Sequence, residues 1–255
     1  MSIYTQIAYL PIIFQVGNDN ITNIDKILKS KNFLFNNILL LSGGTYSRKV
    51  ATRIKLEKLH HHEIVIDNTI EEVQRISGLV YTKRYDLILA VGGGKVLDVA
   101  KRISQLQRIN HISIPTVISN DGLISPISVL KDDKDKTQSI SGNMPTGVII
   151  DIDIIAKAPD HYLQAAAGDI LSNISATNDW FYATAINKER INDIGYQLSL
   201  LAAQSLINFN NVDLKCENFL KMIIQGQVNS GIAMALSGSS RPCSGSEHLI
   251  SHAMD

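Results

Sequence analysis

The chain has 255 residues, of which 45% are hydrophobic, so it is long enough to bury the core of one or two domains. Its 24 Lys and Arg residues balance 24 Asp and Glu residues, and this neutrality argues against a nucleic-acid or anionic-membrane surface. No apolar run approaches the roughly 20 residues that cross a bilayer, and no secretion signal is recognisable, so we expect a cytoplasmic protein without membrane insertion. Two cysteines exclude a disulfide scaffold and a thiolate zinc cluster, which leaves His and carboxylates as metal ligands.

The first 150 residues repeat one pattern, an apolar β-branched run followed by a turn and then a segment with helical spacing. This repeat predicts a Rossmann-like α/β domain with a parallel sheet, whose strands are buried on both faces. Predicted helices begin near Asn20, Thr45, Thr69 and Gly94. The predicted strands are Ile12–Val16, Ile38–Leu41, Glu63–Ile66, Leu87–Val91 and Ile112–Ile114.

After Thr116 the pattern changes to a polar loop, a hairpin that carries Lys131 to Lys136, and one more apolar run, Gly147–Asp151. We interpret this region as the edge of the sheet domain. No convincing strand follows it, so the sequence predicts an α/β domain over residues 1–152 and an all-α domain over residues 153–255. The helical patterns of the second domain are Asp169–Ile186, Asp193–Ile207 and Leu214–Leu236.

The strongest local motif is a glycine-rich turn between a predicted strand and a predicted helix, Gly92-Gly93-Gly94-Lys95. Because glycines have no side chain, backbone N–H groups there can approach a pyrophosphate closely, and the helix N-terminus adds partial positive charge. The motif is not the G-x-G-x-x-G fingerprint. A tight turn without a ligand is the alternative, just as Asp98 can be read as a first-turn carboxylate that stabilises the helix dipole.

The loop that follows the next predicted strand is rich in Ser, Asp, Gly and Pro. It leaves the carboxyl end of that strand, which is where ligands bind in open α/β sheets. Thr116, Ser119 and Ser125 offer hydroxyl groups to a phosphate or a carboxamide, and Asp121 offers a carboxylate to a substrate hydroxyl. An ordinary turn-rich loop is the alternative, because Asp-Gly and Ser-Pro are common turn formers.

In the predicted helical domain, the segment around Asp169 opens a helix, and two histidines lie near the end of the chain. His248 and His252 are four residues apart, so they share one helix face and can address one ligand or metal ion. A solvated histidine pair and an N-terminal helix carboxylate are the alternatives. The run of three histidines at residues 60–62 precedes a predicted strand, and we interpret it as a solvated connector.

Four motifs occur in this order: GGGKVLDVAK, IPTVISNDGLISP, GDILSNISATNDW and SRPCSGSEHLISHAMD. Together they resemble the metal-dependent polyol dehydrogenases related to dehydroquinate synthase, and most closely the sn-glycerol-1-phosphate dehydrogenase branch. The motifs span residues 86–255, about two thirds of the chain. The resemblance implies a dehydroquinate synthase-like fold, with a dinucleotide-binding α/β domain, a helical domain and an active site in the cleft between them.

The resemblance also implies roles for individual residues. Asp121 would face the substrate, and Asp169 and His248 would bind a metal ion, with Asp169 also touching the substrate. His252 would contact the substrate and complete the catalytic set with Asp169 and His248. Asn173 occupies the position at which iron-dependent alcohol dehydrogenases carry a histidine ligand. The implied cofactor contacts are Gly92, Gly93, Gly94, Lys95 and Asp98 around the pyrophosphate, and Thr116, Ser119 and Ser125 at the nicotinamide half.

Two departures from the family pattern affect these expectations. The turn at residues 41–45 lacks the acidic residue that many relatives use for the adenosine ribose, so we expect NADP to be accepted alongside NAD. The third metal ligand of the family, a histidine, lies downstream of the position matched by Asp255, so we expect the helical domain to be truncated. The implied cofactors are therefore NAD or NADP and one divalent metal ion, for which zinc is preferred and nickel and iron are alternatives.

The function implied by the resemblance is the NAD(P)-dependent interconversion of glycerol 1-phosphate and dihydroxyacetone phosphate by a homo-oligomeric enzyme. Three alternatives stay open. The substrate can be glycerol or another unphosphorylated polyol. The scaffold can also support the cyclising lyase chemistry of dehydroquinate synthases. Finally, the chain can be a truncated or degenerate paralogue that binds a dinucleotide without catalytic activity.

Overall fold

The computed structural model describes residues 9–254, except residues 32, 34, 59, 211 and 212. The chain divides into two compact units. The sheet unit comprises Pro11–Ile118 and Pro126–Ala158, and the helical unit comprises the described residues up to Leu10, the segment Ser119–Ser125 and the chain from Pro159 onward. This division lies a few residues beyond the predicted boundary at 152/153, and it also assigns the Ser119–Ser125 loop to the helical unit.

The sheet unit contains a six-stranded parallel sheet with the strand order β1-β8-β5-β4-β2-β3. All residues of the central strand β4 and of its neighbour β2 are buried, as the continuous apolar runs predict. A two-stranded antiparallel hairpin, β6-β7, matches the predicted polar hairpin. The strands are β1 Ile13–Gly17, β2 Ile38–Ser42, β3 His60–Ile64, β4 Leu87–Gly92, β5 Asn110–Pro115, β6 Ile127–Lys131, β7 Thr137–Ser141 and β8 Gly147–Asp151.

Helices follow the strands at the predicted places. The hydroxyl of Thr69 accepts a hydrogen bond from the Glu72 N–H (3.1 Å) and so caps α3, while Arg84 and Arg108 end α3 and α4 in the left-handed conformation. A 3₁₀ turn at Asn20–Asn23 precedes the first helix. The helices of the sheet unit are α1 Ile24–Ser30, α2 Tyr46–Ala51, α3 Ile70–Lys83, α4 Gly94–Gln107 and α5 Ile152–Ile155.

Two expectations about the sheet are wrong. The histidine run is not a connector, because His60–Ile64 is itself strand β3 and pairs with β2 at one edge of the sheet. An edge strand pairs on one side only, so it does not need the apolar run by which the inner strands are recognised. The segment Gly147–Asp151 is the last strand along the chain, but in space it lies between β1 and β5 rather than at an edge.

In its described residues, the helical unit has four helices and a 3₁₀ turn at Asp121–Leu123. Helix α6 begins at Asp160, so Asp169 lies in the middle of this long helix and the prediction that it opens a helix is wrong. Helices α6 and α8 approach closely, since a Cβ at Gly226 would lie 2.6 Å from Cδ1 of Ile170. The helices are α6 Asp160–Asn187, α7 Asp193–Ile207, α8 Glu217–Ser237 and α9 Ser246–Met254.

Within the described ranges, we find no helix whose length and apolarity would let it cross a lipid bilayer.

Candidate active site

The glycine turn connects the buried strand β4 to helix α4, and close packing explains its first glycine. A Cβ at Gly92 would lie 2.6 Å from Cγ2 of Val96, so no larger residue fits there. A Cβ at Gly93 would lie 3.1 Å from Val117, whereas a Cβ at Gly94 would meet no protein atom within 4 Å. The three glycines all lack positive φ angles. Gly94 is therefore required neither by backbone conformation nor by protein packing, which leaves room there for a ligand.

The first turn of α4 presents backbone N–H groups beside this open space. Gly93 is the N-cap residue with an extended backbone (φ −87°, ψ −169°), and having no side chain it caps no N–H group of the helix. Helix N-termini that keep such N–H groups available bind anions. An open space next to these donors fits the pyrophosphate of a dinucleotide.

The charged residues of the motif lie in different environments. Lys95 is exposed, and its Nζ lies 2.6 Å from Oδ1 of Asp67. Asp98 is buried in the second turn of α4, so its interpretation as a first-turn carboxylate is wrong. Its Oδ1 accepts a hydrogen bond from the fully buried Lys101 (3.1 Å), and Lys101 also donates to the Ile127 carbonyl (2.7 Å). Burial nevertheless raises the pKa of Asp98.

The three predicted hydroxyl residues fall into both units. Thr116 is buried in the sheet unit, directly after β5, and its N–H donates to the Gly92 carbonyl (3.0 Å), which ties the β5 turn to the glycine turn. Ser119 and Ser125 belong to the helical unit. Ser125 is buried, and its N–H donates to the Asp121 carbonyl (2.9 Å), which also accepts from the Ile124 N–H that closes the 3₁₀ turn (2.9 Å).

The two predicted metal ligands of the helical unit lie together in space. Nε2 of His248 in α9 is 3.8 Å from Oδ1 of Asp169 in α6. Bonds from zinc to His nitrogen and carboxylate oxygen measure about 2.0–2.2 Å, so one ion can reach two such atoms up to about 4.2 Å apart. The pair therefore fits a divalent ion, and the segment Ser119–Ser125 contributes a further carboxylate, Asp121, next to Asp169.

Electrostatics around Asp169 also favour a cation. Burial, together with the nearby negative charge of Asp121 and of Glu247, raises the pKa of Asp169 well above its ordinary value. Hydrogen bonds from the Gln227 side chain and the Asp121 N–H oppose this increase without overcoming it. Three carboxyl groups so close together are mutually repulsive unless a proton or a metal ion neutralises part of their charge.

Glu247 is a candidate site residue that the sequence analysis missed. Its Oε1 lies 2.8 Å from Nδ1 of His248 and accepts a hydrogen bond from the Gly245 N–H (2.8 Å), while Oε2 accepts from the Ser175 hydroxyl (3.0 Å). Burial works to raise the pKa of Glu247, but the hydrogen bonds from Gly245 and His248 lower it overall. An ionised carboxylate only accepts hydrogen bonds, so Nδ1 of His248 carries the proton in this contact, and Nε2 is the ring nitrogen that faces Asp169.

The start of α9 is fixed to α6 by a hydrogen bond and by close packing. The Ser246 N–H donates to Oδ2 of Asp179 (2.7 Å). A Cβ at Gly245 would lie 2.8 Å from Cα of Ala176 and from Oδ2 of Asp179, so only glycine allows this approach. Glycine at residue 245 thus places His248 against the α6 face that bears Asp169.

Asn173 is buried one helical turn after Asp169. Its Nδ2 donates to the Ser230 hydroxyl (2.9 Å) and to the Ser199 carbonyl (3.3 Å), so this amide joins α6 to α7 and α8. Cys243 packs in the same region, where burial raises the pKa of its thiol well above the ordinary value and the charge of Asp121 adds to this shift. At residue 173 the chain therefore has an amide that joins helices, whereas a histidine there would offer a nitrogen ligand to a metal ion.

The described residues contain no group of three His, Cys, Asp or Glu side chains arranged to hold a metal ion. Asp169 and His248 form a pair, and the predicted third ligand lies outside the described residues. The backbone of His252 continues α9, but the side chain of His252 lies outside the described part of the structure.

Comparison with known proteins identifies the family. The profile of the family described as iron-containing alcohol dehydrogenase matches residues 15–159. A glycerol-1-phosphate dehydrogenase [NAD(P)+] of Archaeoglobus fulgidus is 35% identical over 250 residues, which cover 96% of this chain and 70% of that protein. The chain belongs to the iron-containing alcohol dehydrogenase family. A second protein of this name, from Pyrococcus furiosus, is 34% identical over 232 residues, covering 89% of this chain and 67% of that protein.

Solved structures share the fold at lower sequence identity. Glycerol dehydrogenase from Schizosaccharomyces pombe superposes with a TM-score of 0.81 at 19% identity, covering 98% of this chain and 66% of that one. A sulfoacetaldehyde reductase from Bifidobacterium kashiwanohense in complex with NAD+ gives a TM-score of 0.67 at 15% identity, covering 92% and 68%. The expected architecture, a parallel-sheet unit followed by a helical region, is confirmed, and the chain spans about two thirds of these relatives.

Proposed function

We propose that the protein is a metal-assisted oxidoreductase that interconverts glycerol 1-phosphate and dihydroxyacetone phosphate with NAD or NADP. The observation that carries the proposal is the contact between His248 and Asp169, two groups from distant helices whose Nε2 and Oδ1 lie 3.8 Å apart. The substrate assignment is supported by the names of the relatives, which are glycerol-1-phosphate dehydrogenases [NAD(P)+] at 34–35% identity.

In the sheet unit, the glycine turn and α4 are assigned to the cofactor. The backbone N–H groups at the start of α4, which receive no side-chain cap, are suited to the pyrophosphate, and the open space at Gly94 admits it. Thr116 is held beside this turn by its bond to Gly92 and is assigned to the nicotinamide half, together with Ser119 and Ser125. When bound, the nicotinamide accepts or supplies the hydride.

In the helical unit, Asp169 and His248 are assigned to one divalent ion, with zinc preferred for a site of carboxylate and imidazole donors. When bound, such an ion acts as a Lewis acid towards the substrate oxygen. Glu247 keeps Nδ1 of His248 protonated, so that Nε2 remains a donor of electron density. Asp121 is assigned to a substrate hydroxyl, and His252 to the transfer of a proton between that hydroxyl and water.

The substrate is tested by assaying glycerol 1-phosphate, glycerol and dihydroxyacetone phosphate side by side while NADH and NADPH absorbance is followed. We expect turnover with the two phosphorylated compounds and little with glycerol. A preference for glycerol would replace the substrate assignment, while turnover of none of the three would leave the chain as a dinucleotide-binding protein only.

The metal assignment is tested separately with His248→Ala. We expect this variant to lose both bound metal and turnover, whereas the matched variant His161→Ala, on the exposed start of α6, keeps both. Metal content is measured by inductively coupled plasma mass spectrometry after dialysis against zinc. Equal metal content and turnover in the two variants would overturn the assignment.

A further inference from the structure

Asp67, in the loop after β3, holds two lysines at the carboxyl edge of the sheet. Its Oδ1 lies 2.6 Å from Nζ of Lys95, and its Oδ2 lies 3.5 Å from Nζ of Lys131. All three side chains keep contact with solvent, with exposures of 63% for Lys95 and 32% for Asp67 and Lys131. Asp135, which is 89% exposed, lies 3.9 Å from Lys131 and contributes a weak further charge. Asp67 is therefore the main carboxylate between two ammonium groups.

The position of this cluster relative to the glycine turn follows from the strand order. Strands β4, β2 and β3 are parallel neighbours, so their carboxyl ends meet at one edge of the sheet in that order. Lys95 follows β4 and Asp67 follows β3, so the ion pair between them spans the turn after β2. That turn is the segment Ser42-Gly43-Gly44-Thr45, which has no acidic residue.

The β2 turn is formed by two glycines, of which the second has more space around it. A Cβ at Gly43 would lie 2.9 Å from Oγ of Ser47 and 3.7 Å from Val96 of α4, whereas one at Gly44 would lie 4.0 Å from Ile64 at the end of β3. The turn thus lies between the first turn of α4 and the end of β3. Neighbouring strands are about 4.8 Å apart, a distance comparable to the width of a ribose. A ribose bound over the β2 turn therefore lies directly beside a phosphate bound at the glycine turn.

The cluster is also firmly anchored. The Asn68 N–H donates to Oδ1 of Asp67 (3.0 Å), and the Asn68 side chain donates to the Val129 carbonyl (2.9 Å) in β6. In return, the Lys131 N–H donates to the Asn68 carbonyl (2.8 Å). The loop that carries Asp67 and the strand that carries Lys131 are therefore held together through the backbone, and only the side chains of the cluster need to move when a ligand binds.

We propose that Asp67, Lys95 and Lys131 read the 2′ position of the adenosine ribose and so determine the choice between NAD and NADP. This inference rests on the proposed function, because it takes the pyrophosphate to lie at the glycine turn with its nicotinamide half towards Thr116 on β5. The adenosine half then lies on the opposite side, over β2. The Asp67 carboxylate accepts a hydrogen bond from a 2′-hydroxyl, and the two ammonium groups bind a 2′-phosphate.

The first test is Lys131→Gln, which removes one ammonium group and keeps the backbone anchor. We expect the Kd for NADPH, measured by isothermal titration calorimetry at low ionic strength, to rise about tenfold, while the Kd for NADH changes less than twofold. The matched control is Lys134→Gln, an exposed lysine in the turn of the same hairpin, for which neither Kd changes. Added salt reduces the difference in NADPH Kd between Lys131→Gln and the unmodified protein, because it screens exposed charges.

The second test is Asp67→Asn, which removes the carboxylate and leaves both lysines. We expect NADPH to bind several-fold more tightly and NADH several-fold more weakly, so that the ratio of the two Kd values moves in the direction opposite to that for Lys131→Gln. A purely structural role for Asp67 would weaken both cofactors together. The thermal unfolding midpoint of each variant verifies that the fold is retained, and Lys131→Gln decides the inference if Asp67→Asn fails to fold.

The outcomes separate the inference from the proposed function. If both cofactors bind and the Kd ratio shifts as described, the inference is supported. Binding of both cofactors with an unchanged ratio in the two variants overturns the inference and leaves the cofactor assignment intact. Failure of the unmodified protein to bind either cofactor overturns both.

Discussion

The carboxylate of Glu247 and the imidazole of His248 are neighbours in sequence and also bonded in space, with Oε1 of Glu247 2.8 Å from Nδ1 of His248. Side chains of consecutive helical residues usually diverge, but here the Gly245 N–H and the Ser175 hydroxyl draw the carboxylate back over the start of α9. The contact fixes the tautomer of His248, and it makes Glu247 a positioning residue for the proposed metal ligand.

Replacement of Glu247 by glutamine is expected to weaken zinc binding by about 10–100-fold, because a neutral amide no longer fixes the tautomer or strengthens the ligand nitrogen. Zinc affinity is measured by competition with a chromophoric chelator. Glu217→Gln, which removes an exposed carboxylate paired with Lys221 on α8, is the matched control and should leave the affinity unchanged. Equal zinc affinity in the two variants would show that Glu247 has no positioning role.

Gly94→Asp separates cofactor binding from folding. No protein atom lies within 4 Å of a Cβ at this position, and an acidic residue in the first helical turn stabilises the helix dipole by about 0.3–1 kcal/mol. We therefore expect unchanged or slightly increased stability, together with at least a tenfold loss of NADH affinity by fluorescence titration, because the carboxylate repels the pyrophosphate. Gly92→Ala is the contrasting variant, since its clash with Val96 lowers stability first. Unchanged NADH affinity in Gly94→Asp would contradict binding of the pyrophosphate at the glycine turn.

Two alanine substitutions in the helical unit are expected to have opposite effects on stability. Gly245→Ala places a Cβ 2.8 Å from Ala176 and from Asp179, and overpacking of this kind costs about 1–3 kcal/mol. Gly168→Ala meets no atom within 4 Å on the exposed side of α6, and it gains about 0.5–1 kcal/mol from helix propensity. Urea unfolding followed through Trp180, the only tryptophan, measures both changes. Two changes of the same sign would contradict the packing described for Gly245.

The stability of the sheet unit is expected to fall in acid because of His111. Burial and the nearby charge of Lys101 lower the pKa of His111 to about 3, against 6.5 when the chain is unfolded, and neither ring nitrogen has a partner among the described residues. Between these two pH values only the unfolded chain binds the proton, so stability decreases as pH falls below 6.5 and the loss is complete near pH 3. At pH 5 the cost is about 2 kcal/mol.

His111→Leu removes this titration. Urea unfolding followed by circular dichroism at pH 7.5 and pH 5 is expected to show a smaller loss of stability in the variant than in the unmodified protein. His161→Gln, on the exposed surface of α6, is the control and should keep the full loss. An identical pH dependence in His111→Leu and the unmodified protein would mean that the buried imidazole is not the responsible group.

The inner part of the sheet is predictable from sequence because its strands obey a simple physical rule. Strands β2 and β4 are buried throughout, and such strands must be continuously apolar. Strand β3 lies at an edge, where His61 and Glu63 interact with each other (3.0 Å) and His62 bonds to Ser42 (2.8 Å), so its polar sequence gives no strand signal. The start of α6 was missed because Asp160, His161 and Gln164 are exposed and carry no apolar period.

The residues of the candidate site also fall into two groups, those that the sequence predicts and those that it does not. Asp169 and His248 were found through motif order, and the structure brings them together. Glu247 and Asp67 were not found, because their roles depend on how loops are held. Glu247 is drawn back by Gly245 and Ser175, and Asp67 meets Lys131 only because Asn68 joins its loop to β6. Contacts of this kind arise from tertiary hydrogen bonds and leave no periodic trace in the chain.

The insertion of β8 between β1 and β5 affects the order in which the sheet can assemble during synthesis. Among the described strands β1 pairs only with β8, so β1 leaves the ribosome well before residue 151 is translated and this partner becomes available. Strands β2, β3, β4 and β5 pair among themselves and can associate earlier. Closure of β1 against β8 is therefore a late, long-range step, and the nascent chain must keep Ile13 and its neighbours from aggregating until then.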